Sequence, residues 1–491
     1  MPRGAVGFPP LPTVAPGAGP EVVRAAVVPP GPPAVVAENA RAGHAGWLRE
    51  DSDRVTGDRT GQIAGYVSAT SVGHGGTLDF HVSVHTSQTF VVEVFRLGDY
   101  AGRGARLMTA SPSLQGHRRA VPEADGDSGL ISCDWPVSWR LTVPPDWVSG
   151  IYQAVFTARD GHRSSTPFVV REPGRAARAL VVVPFTTYQA YNMWPKDGTR
   201  GKNLYRGYGE RDEVRTDKRA FKVSFDRPYS GAGTPRWFEM DTAFARWAER
   251  QGLDVTYASS VDVHDGTVDL RAYRAVFFPG HDEYWSTPMR EQAHRAIARG
   301  THLAFFGANN VYFRIRTEAS AAGRPDRTVV CYKNEPDPEG LAVEATARWR
   351  DLAQDQGQAE QALLGVQFAG IVLRPAPLVV RESGHWVWAG TGLAEGARLP
   401  DLVGVEADRF TASAPSPPGA RRTLLAASPY TKTAPGGGRR NVQHTALTEY
   451  PNGAMVFAAG TFHWALALDE RDHVNEHVRT ATANLAFRMM S

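Results

Sequence analysis

Four short stretches of the sequence concentrate side chains that could do chemistry. P-G-H-D-E-Y-W (279–285) places a His, an Asp and a Glu directly after an apolar run, and phenols occur in F-T-T-Y-Q-A-Y-N-M-W (185–194) and V-S-F-D-R-P-Y (223–229). Two amides occur in G-A-N-N (307–310). Carboxylate, phenol and imidazole groups form a hard, oxygen-rich donor set, which favours a hard cation over zinc held by thiolates. A ferric ion fits, because its charge stabilises a deprotonated phenol, polarises a carbonyl and acidifies a bound water.

Other catalytic chemistries are poorly supported, and structural roles for the same residues remain open. The sequence lacks the G-x-S-x-G elbow of serine hydrolases, and neither a G-x-G-x-x-G motif after the first α/β strand nor a P-loop occurs. His281, Asp282 and Glu283 could instead complement the dipole of the helix that follows and cap its N–H groups. Tyr191 and Tyr229 could be packing residues, and the two asparagines of G-A-N-N could be turn formers.

The elements that must position these stretches follow from the hydrophobic pattern. Short apolar runs, typical of parallel strands buried on both faces, predict strands over 179–184, 254–259, 274–280 and 301–307. A helical pattern occupies Phe238 to Gly252, and a second helix is predicted to begin at Thr287-Pro288 and to end at Gly300. This alternation predicts a doubly wound α/β sheet. Ligands bind beyond the carboxyl ends of its strands, so the polar stretches that follow those strands are expected to meet at one edge.

The residues before the α/β region have a different hydrophobic pattern. Alternating apolar and polar residues at 77–84, 89–97, 138–144 and 150–158 predict an antiparallel β-sandwich. The domain organisation is therefore predicted as three segments: a disordered Pro/Gly/Ala-rich lead-in (1–45), an immunoglobulin-like β-sandwich domain (46–172), and an α/β domain (176–491) that carries the metal site.

Composition excludes several classes of function. The 491 residues are 42% hydrophobic and 21% charged with a net charge of +3, and no Lys/Arg run indicates a nucleic-acid partner. Cys133 and Cys331 are the only cysteines, so neither a disulfide framework nor a cysteine-ligated zinc site is expected. No apolar run of membrane-spanning length and no secretory signal is visible, so a cytoplasmic location is expected.

The motifs taken together resemble those of a known family. L-V-V-V-P-F-T-T-Y-Q-A-Y-N, K-N-L-Y, V-S-F-D-R-P-Y, F-F-P-G-H-D-E-Y-W and L-A-F-F-G-A-N-N-V-Y-F-R are similar to segments of the large (β) subunit of N,N-dimethylformamidase and its actinobacterial relatives. The resemblance covers most of residues 178–491, and the β-rich region before it resembles the sandwich domain of the same proteins.

The resemblance implies a glutamine-amidotransferase-like α/β domain without the usual Cys nucleophile. It also implies a mononuclear Fe(3+) held by two tyrosinates and a glutamate, and the hydrolysis of a small formamide to formate and an amine. Matched by motif, the ligands are Tyr191 of A-Y-N, Tyr229 of D-R-P-Y and Glu283 of H-D-E-Y-W. Tyr188 competes with Tyr191 for the first position, because both lie in one segment.

The resemblance also implies the catalytic groups and the partners. His281 would orient the substrate or protonate near it, Asn309 would contact the substrate or its oxyanion, and Glu406 of V-G-V-E-A-D would be a general base. The partner is a small amide substrate; a homo-oligomer is compatible with the sequence, which identifies no small partner subunit. Two alternatives stay open, namely a non-catalytic binding protein on a degenerate amidotransferase scaffold and a metallohydrolase for another amide or ester in secondary metabolism.

Overall fold

A short helix precedes the first sheet and is anchored by a buried carboxylate. The structure, a computed structural model, describes residues 33–47, 54–333, 335–338, 345–352 and 358–491. Helix α1 (Ala34–Asn39) buries Glu38, whose Oε1 accepts hydrogen bonds from Arg106 Nε at 2.6 Å and Tyr100 Oη at 2.9 Å. Residues 1–32 of the predicted lead-in lie outside the described residues. Helix α1 lies within the segment predicted to be disordered, so the prediction is wrong for residues 34–39. The composition of the segment gives no sign of this helix, because polar contacts of Glu38 hold it in place.

Ten strands in two sheets form the N-terminal region. They are β1 (Arg54–Val55), β2 (Ile63–Val67), β3 (Ser71–Gly73), β4 (Thr77–Val84), β5 (Gln88–Leu97), β6 (Ala105–Ala110), β7 (Leu114–Gly116), β8 (Trp139–Thr142), β9 (Gly150–Ala158) and β10 (His162–Arg171). One sheet has the order β1-β10-β9-β5-β6, with β3 on β10 and β7 on β5, and the other has the order β2-β4-β8.

Alternating residues of both sheets share one apolar core, which includes Phe80, Val92, Phe156 and Phe168. This is the pattern that the alternation in the sequence predicts. The pairing is not purely antiparallel as predicted, because β1 and β3 each pair with β10 in parallel. The immunoglobulin-like assignment stays a prediction.

The α/β region begins with alternating strands and helices. Its first half comprises β11 (Ala179–Val183), α2 (Phe185–Tyr191), β12 (Gly207–Tyr208), β13 (Val214–Arg215), β14 (Lys222–Ser224), α3 (Phe238–Arg250), β15 (Val255–Ser259), α4 (Ser260–His264), β16 (Ala275–Phe278), β17 (Tyr284–Ser286), α5 (Thr287–Arg299) and β18 (His302–Phe305). All four predicted strands and both predicted helices are present. The segment 185–194, predicted as a loop, instead starts with helix α2.

The second half returns to the same sheet. It comprises β19 (Phe313–Glu318), β20 (Thr328–Val330), α6 (Gln361–Leu364), β21 (Gln367–Ile371), β22 (Ala376–Val379), β23 (Arg398–Val403), β24 (Glu406–Arg409), β25 (Arg421–Lys432), β26 (Arg439–Glu449), β27 (Met455–Ala458), α7 (His463–Asp469) and α8 (Glu476–Met490). The central sheet has the order β15-β11-β16-β18-β27-β26-β25. Its first five strands are parallel, and β26 and β25 extend it as an antiparallel hairpin.

Helices cover both faces of the central sheet. Val181 and Phe277 belong to one apolar cluster with Phe244 of α3, whereas Leu180 and Val276 belong to a second cluster with Met289 of α5. Two covered faces explain why these strands are continuous apolar runs in the sequence. The α/β character is thus confirmed, and the amidotransferase-like assignment stays a prediction. None of the helices that the structure describes is long and apolar enough to cross a membrane.

A buried ionic network joins the N-terminal region to α3. Arg96 of β5 donates two hydrogen bonds to Glu249, at 2.9 Å from Nη1 and 2.8 Å from Nη2, and both side chains are fully buried. Asn39 and Tyr257 also donate to the Glu249 carboxylate, at 2.6 and 2.8 Å. Arg96 Nη1 donates in addition to Tyr100 Oη at 3.1 Å. These residues, here called the Arg96 network, pair a buried carboxylate with a fixed cation.

Candidate active site

Four side chains meet at the carboxyl edge of the central sheet. Tyr191, the last residue of α2, donates its hydroxyl to Glu283 Oε2 at 2.8 Å, and Tyr205 Oη lies 2.6 Å from both oxygens of the same carboxylate. The two hydroxyls are 3.0 Å apart and the rings stack with centroids 4.6 Å apart. His281 Nε2 lies 3.2 Å from Tyr191 Oη and 3.2 Å from Glu283 Oε2. These four residues are called the phenol–carboxylate cluster below.

The second phenol of the cluster is Tyr205, not the expected Tyr229. Tyr229 is buried near the charges of Arg227 and Arg327, and its hydroxyl makes no hydrogen bond to the cluster within the described parts of the chain. Tyr205 reaches Glu283 because Asn203 Oδ1 accepts the N–H groups of Tyr205 and Arg206 in a tight turn, both at 2.9 Å. The K-N-L-Y stretch carries this turn, and its Asn-x-Tyr spacing indicates a turn but not which side chain Tyr205 faces.

Tyr188 points away from the cluster, so the structure favours Tyr191 in the first position. The Tyr188 hydroxyl donates to Asp241 of α3. One helical turn separates the two tyrosines, but Asn203 Nδ2 donates to the Tyr191 carbonyl at 2.9 Å and so ties the end of α2 to the turn that carries Tyr205. The two phenols of the cluster are thus positioned by one pair of hydrogen-bonded segments.

The turn after β16 is built to present His281 and Glu283. Gly280 is required there, because a Cβ atom at this position would clash with the buried Asp241 carboxylate. Thr187 Oγ1 accepts the backbone N–H of Glu283 at 3.0 Å. Helix α5 is capped by Ser286, whose hydroxyl accepts the Met289 N–H, and not by the acidic residues before it. The capping interpretation of Glu283 is therefore wrong.

Burial and mutual charge set the protonation of the cluster. Burial raises the pKa of Tyr191 and of Tyr205 well above the usual range, and the nearby Glu283 carboxylate raises both further. Burial alone would lower the pKa of His281, but its hydrogen bond with Glu283 and the charges of Glu406 and Glu283 raise it. His281 Nδ1 faces the Ala308 carbonyl at 3.0 Å, so Nδ1 carries a proton and Nε2 faces Glu283. The imidazolium form is thus favoured.

Glu406 and Asn309 lie beside His281 with unused polar atoms. Burial raises the pKa of Glu406 to about 7, while the His281 charge and hydrogen bonding from the Asn309 side chain oppose the shift. Asn309 adopts φ 53°, and its N–H donates to Asp408 Oδ1 at 2.9 Å. Among the described residues, Glu406 Oε2 and Asn309 Oδ1 are buried without a hydrogen-bond partner. Buried polar atoms of this kind are costly in a folded protein unless a ligand or water satisfies them.

Two neighbours of the cluster were not predicted from the sequence. The Lys333 ammonium lies 3.5 Å from the centroid of the Tyr205 ring, and burial lowers its pKa to about 8. The Phe462 ring lies 4.6 Å from the His281 ring and closes the apolar side of the site. Neither residue belongs to a sequence motif that indicates chemistry. Their roles follow only from contacts in the folded protein, and such contacts are common in proteins.

The donor chemistry of the cluster restricts what it could hold. In the parts of the chain that the structure describes, no three His, Cys, Asp or Glu side chains converge so as to hold a metal ion. Cys133 and Cys331 are both buried free thiols. A metal ion at this site would therefore need the phenols of Tyr191 and Tyr205 as ligands beside the Glu283 carboxylate.

Comparison with known proteins identifies a family. Residues 91–478 match the family described as N,N-dimethylformamidase beta subunit-like, C-terminal. No curated protein matches the chain in sequence.

Similarity to solved structures is weak. Among them, a superoxide reductase (neelaredoxin) from Ignicoccus hospitalis has a TM-score of 0.16 at 11% identity, covering 25% of this chain and 99% of its own. A Paenibacillus sp. cycloisomaltooligosaccharide glucanotransferase complexed with cycloisomaltoheptaose has a TM-score of 0.17 at 8% identity, covering 50% of this chain and 45% of its own. TM-scores this low do not indicate a shared fold. The family match spans most of the chain, which therefore belongs to the N,N-dimethylformamidase beta subunit-like family.

Proposed function

We propose that the protein is an iron-dependent amidohydrolase that cleaves a small N-substituted formamide, such as an N,N-dialkylformamide, to formate and an amine. One observation carries the proposal: Tyr191, Tyr205 and Glu283, all hard oxygen donors, converge within hydrogen-bonding distance of one another. Family membership supports a hydrolase of linear amides.

The donor set fits a small, hard cation. Carboxylate and phenolate oxygens are the donors that such a cation prefers over thiolates. The oxygens of the cluster are 2.6 to 3.0 Å apart. When bound there, a ferric ion would keep the phenols deprotonated and act as a Lewis acid toward an amide carbonyl. In this assignment Tyr205 replaces Tyr229, and Lys333 contributes a positive charge beside the Tyr205 phenolate.

Glu406 and His281 supply the proton transfers of the proposed reaction. A pKa of about 7 suits Glu406 to take a proton from the attacking water near neutral pH, because a general base works best when its pKa is close to the ambient pH. His281, favoured as the imidazolium, gives a proton to the departing amine nitrogen as the carbon–nitrogen bond breaks. The charges of His281 and Glu406 act on each other, so the two side chains are close enough to serve one substrate.

The remaining neighbours orient the substrate and exclude water. Asn309 has a buried amide oxygen without a partner among the described residues, and its side chain faces Glu406, where it can hold the attacking water or the amide. Phe462 forms an apolar wall against His281. This wall suits the alkyl groups of a small dialkylamide and strengthens the electrostatic interactions inside the site. The family is named for a subunit, so we further propose that the chain works in an assembly with copies of itself or a second chain.

The experiment is turnover of N,N-dimethylformamide by iron-loaded protein, with formate and dimethylamine measured as products. Glu406→Gln keeps the shape of the side chain and is expected to lower kcat by about 100-fold or more, since general-base catalysis contributes about 10²–10⁴. Retention of iron by this variant separates loss of the base from loss of the metal. Iron-loaded protein that cleaves no amide in a panel of N-formyl and N,N-dialkyl amides, or full activity of Glu406→Gln, would contradict the proposal.

A further inference from the structure

A cleft opens beside the phenol–carboxylate cluster. It encloses about 200 Å³ and is lined on one side by Tyr191, which is partly exposed to it, and on the other by the segment 229–236. His281 and Glu283 are each only 1% exposed, so the cluster reaches this cleft through the Tyr191 phenol. A substrate that enters the cleft therefore arrives beside the reactive oxygens.

The charged side chains of the cleft all have the same sign. Lys196, Arg206 and Arg236 line it and are exposed, whereas none of the described residues that line it is acidic. None of the three cations has an ion-pair partner within the described parts of the chain. Many other arginines of this protein are paired, as Arg246 is with Asp469 at 2.7 Å. Three unpaired cations around one small cleft favour an anionic occupant.

Arg236 is the cation of the cleft that lies over a ring of the cluster, that of Tyr191. Its guanidinium carbon is 5.6 Å from the centroid of the Tyr191 ring and 4.5 Å from that of Trp237. Trp237 packs edge-on against Phe462 at 5.2 Å, and Phe462 in turn contacts His281. A guanidinium binds a carboxylate through two parallel hydrogen bonds, a geometry that Arg supplies and Lys does not.

A neutral dialkylformamide makes no use of these charges. We propose that the substrate is an N-formyl amide whose amine part carries a carboxylate, and that Arg236 is the specificity-determining residue that binds this carboxylate, assisted by Arg206 and Lys196. The inference rests on the proposed function and names its substrate class. For the simplest member, N-formyl-N-methylglycine, water adds its hydroxyl to the formyl carbon and the carbon–nitrogen bond breaks. The nitrogen takes up a proton, and the products are formate and N-methylglycine.

The short distance between Arg236 and the cluster favours a substrate whose amine part is a short amino acid. The cleft is small, and Arg236 lies only 5.6 Å from the Tyr191 ring, so the carboxylate must be close to the formyl group. In N-formyl-N-methylglycine a single methylene separates the amide nitrogen from the carboxylate. This compound is N,N-dimethylformamide with a carboxylate on one methyl group, so the two substrates differ in the feature that Arg236 would bind.

The test compares N-formyl-N-methylglycine with its uncharged methyl ester and with N,N-dimethylformamide. We expect kcat/KM for the charged compound to exceed that for the ester by about tenfold or more, because the ester lacks the charge that strengthens hydrogen bonds from the guanidinium. Arg236→Met removes the charge, retains the apolar stem over Trp237 and should abolish this preference. Arg374→Met, which removes an exposed arginine outside the cleft, is the matched control and should keep it.

Binding measurements separate this inference from the proposed function. Calorimetric titration of the iron-loaded protein with N-formyl-N-methylglycine and with its methyl ester reports the preference even if neither compound is cleaved. Cleavage of the amides without a preference for the charged one would overturn the inference and leave the proposed function standing. Tighter binding of the charged compound, lost in Arg236→Met, would support the anion site even if no amide is cleaved. Equal or absent binding of the two compounds would overturn it.

Discussion

In both the Arg96 network and the phenol–carboxylate cluster a tyrosine hydroxyl donates to a buried glutamate, but the two clusters differ in what balances the charge. In the Arg96 network, Glu249 accepts from Tyr257 and Asn39 and is paired with a guanidinium in two hydrogen bonds. In the phenol–carboxylate cluster, Glu283 accepts from two phenols, but the cation at hydrogen-bonding distance is His281, which Glu406 also attracts.

The difference supports the proposal that the phenol–carboxylate cluster is the functional one. Arg96 has a fixed charge, so the Arg96 network is complete as folded and joins α3 to the N-terminal region. The phenol–carboxylate cluster holds more acidic groups than fixed cations. It also lies beside buried atoms of Glu406 and Asn309 that have no hydrogen-bond partner within the described parts of the chain. A buried tyrosine–glutamate contact alone therefore indicates nothing about function. Buried phenol and carboxylate oxygens that have no fixed cation within hydrogen-bonding distance, at the edge of a sheet, instead favour a ligand site.

Arg96→Met should have the largest effect on stability. It leaves Glu249 buried without its cation, and breaking a buried ion pair costs about 3–5 kcal/mol. We expect the free energy of unfolding in urea to fall by that amount, whereas iron content per folded chain should not change. The double variant Arg96→Met/Glu249→Leu should recover much of the loss. A single variant as stable as the native protein would contradict the structural role of the network.

Tyr205→Phe should have the largest effect on the site after loss of Glu283 itself. The variant keeps the stacked ring but removes one oxygen donor, so we expect at least about tenfold weaker iron binding and turnover reduced by about 100-fold. Iron titration and formate release measure the two effects. Unchanged iron binding would remove Tyr205 from the ligand set.

Tyr229→Phe is the matched control and should have the smallest effect. The hydroxyl of Tyr229 is apart from the cluster, near Arg227 and Arg327, so its removal should leave iron binding unchanged. Iron content is the readout for this control, because Tyr229 also lines the cleft and turnover could respond to that contact. A loss of iron in Tyr229→Phe, together with normal iron binding in Tyr205→Phe, would contradict this assignment. It would favour the ligands predicted from the sequence motifs, which include Tyr229 in place of Tyr205.

The sequence predicted the central elements well, because burial on both faces leaves a strong apolar signal. Strands β11, β15, β16 and β18 and helices α3 and α5 were predicted, and with them the sheet edge where His281, Glu283 and Asn309 lie. The family was also predicted from the sequence, because several short motifs taken together are specific, and the family match confirms it.

The second phenol could not be chosen from the sequence. Tyr205 and Tyr229 lie in loops on either side of β14, and only the Asn203 turn and the position of Arg227 decide which of them faces Glu283. The long β25–β26 hairpin and helix α2 were also missed, because mixed polar and apolar residues give no clean period there. Contacts between segments far apart in sequence, such as Arg236 with Tyr191, are invisible to local patterns.

The central claim is that Tyr191, Tyr205 and Glu283 hold one metal ion. The most direct measurement is iron content with the visible absorption spectrum, for the native protein and for Glu283→Gln, with circular dichroism as the check of folding. We expect about one iron per chain and a tyrosinate-to-iron charge-transfer band in the native protein, and the loss of both in the folded variant. A native protein that binds no iron, or a Glu283→Gln variant that keeps full iron occupancy and the band, would contradict the account.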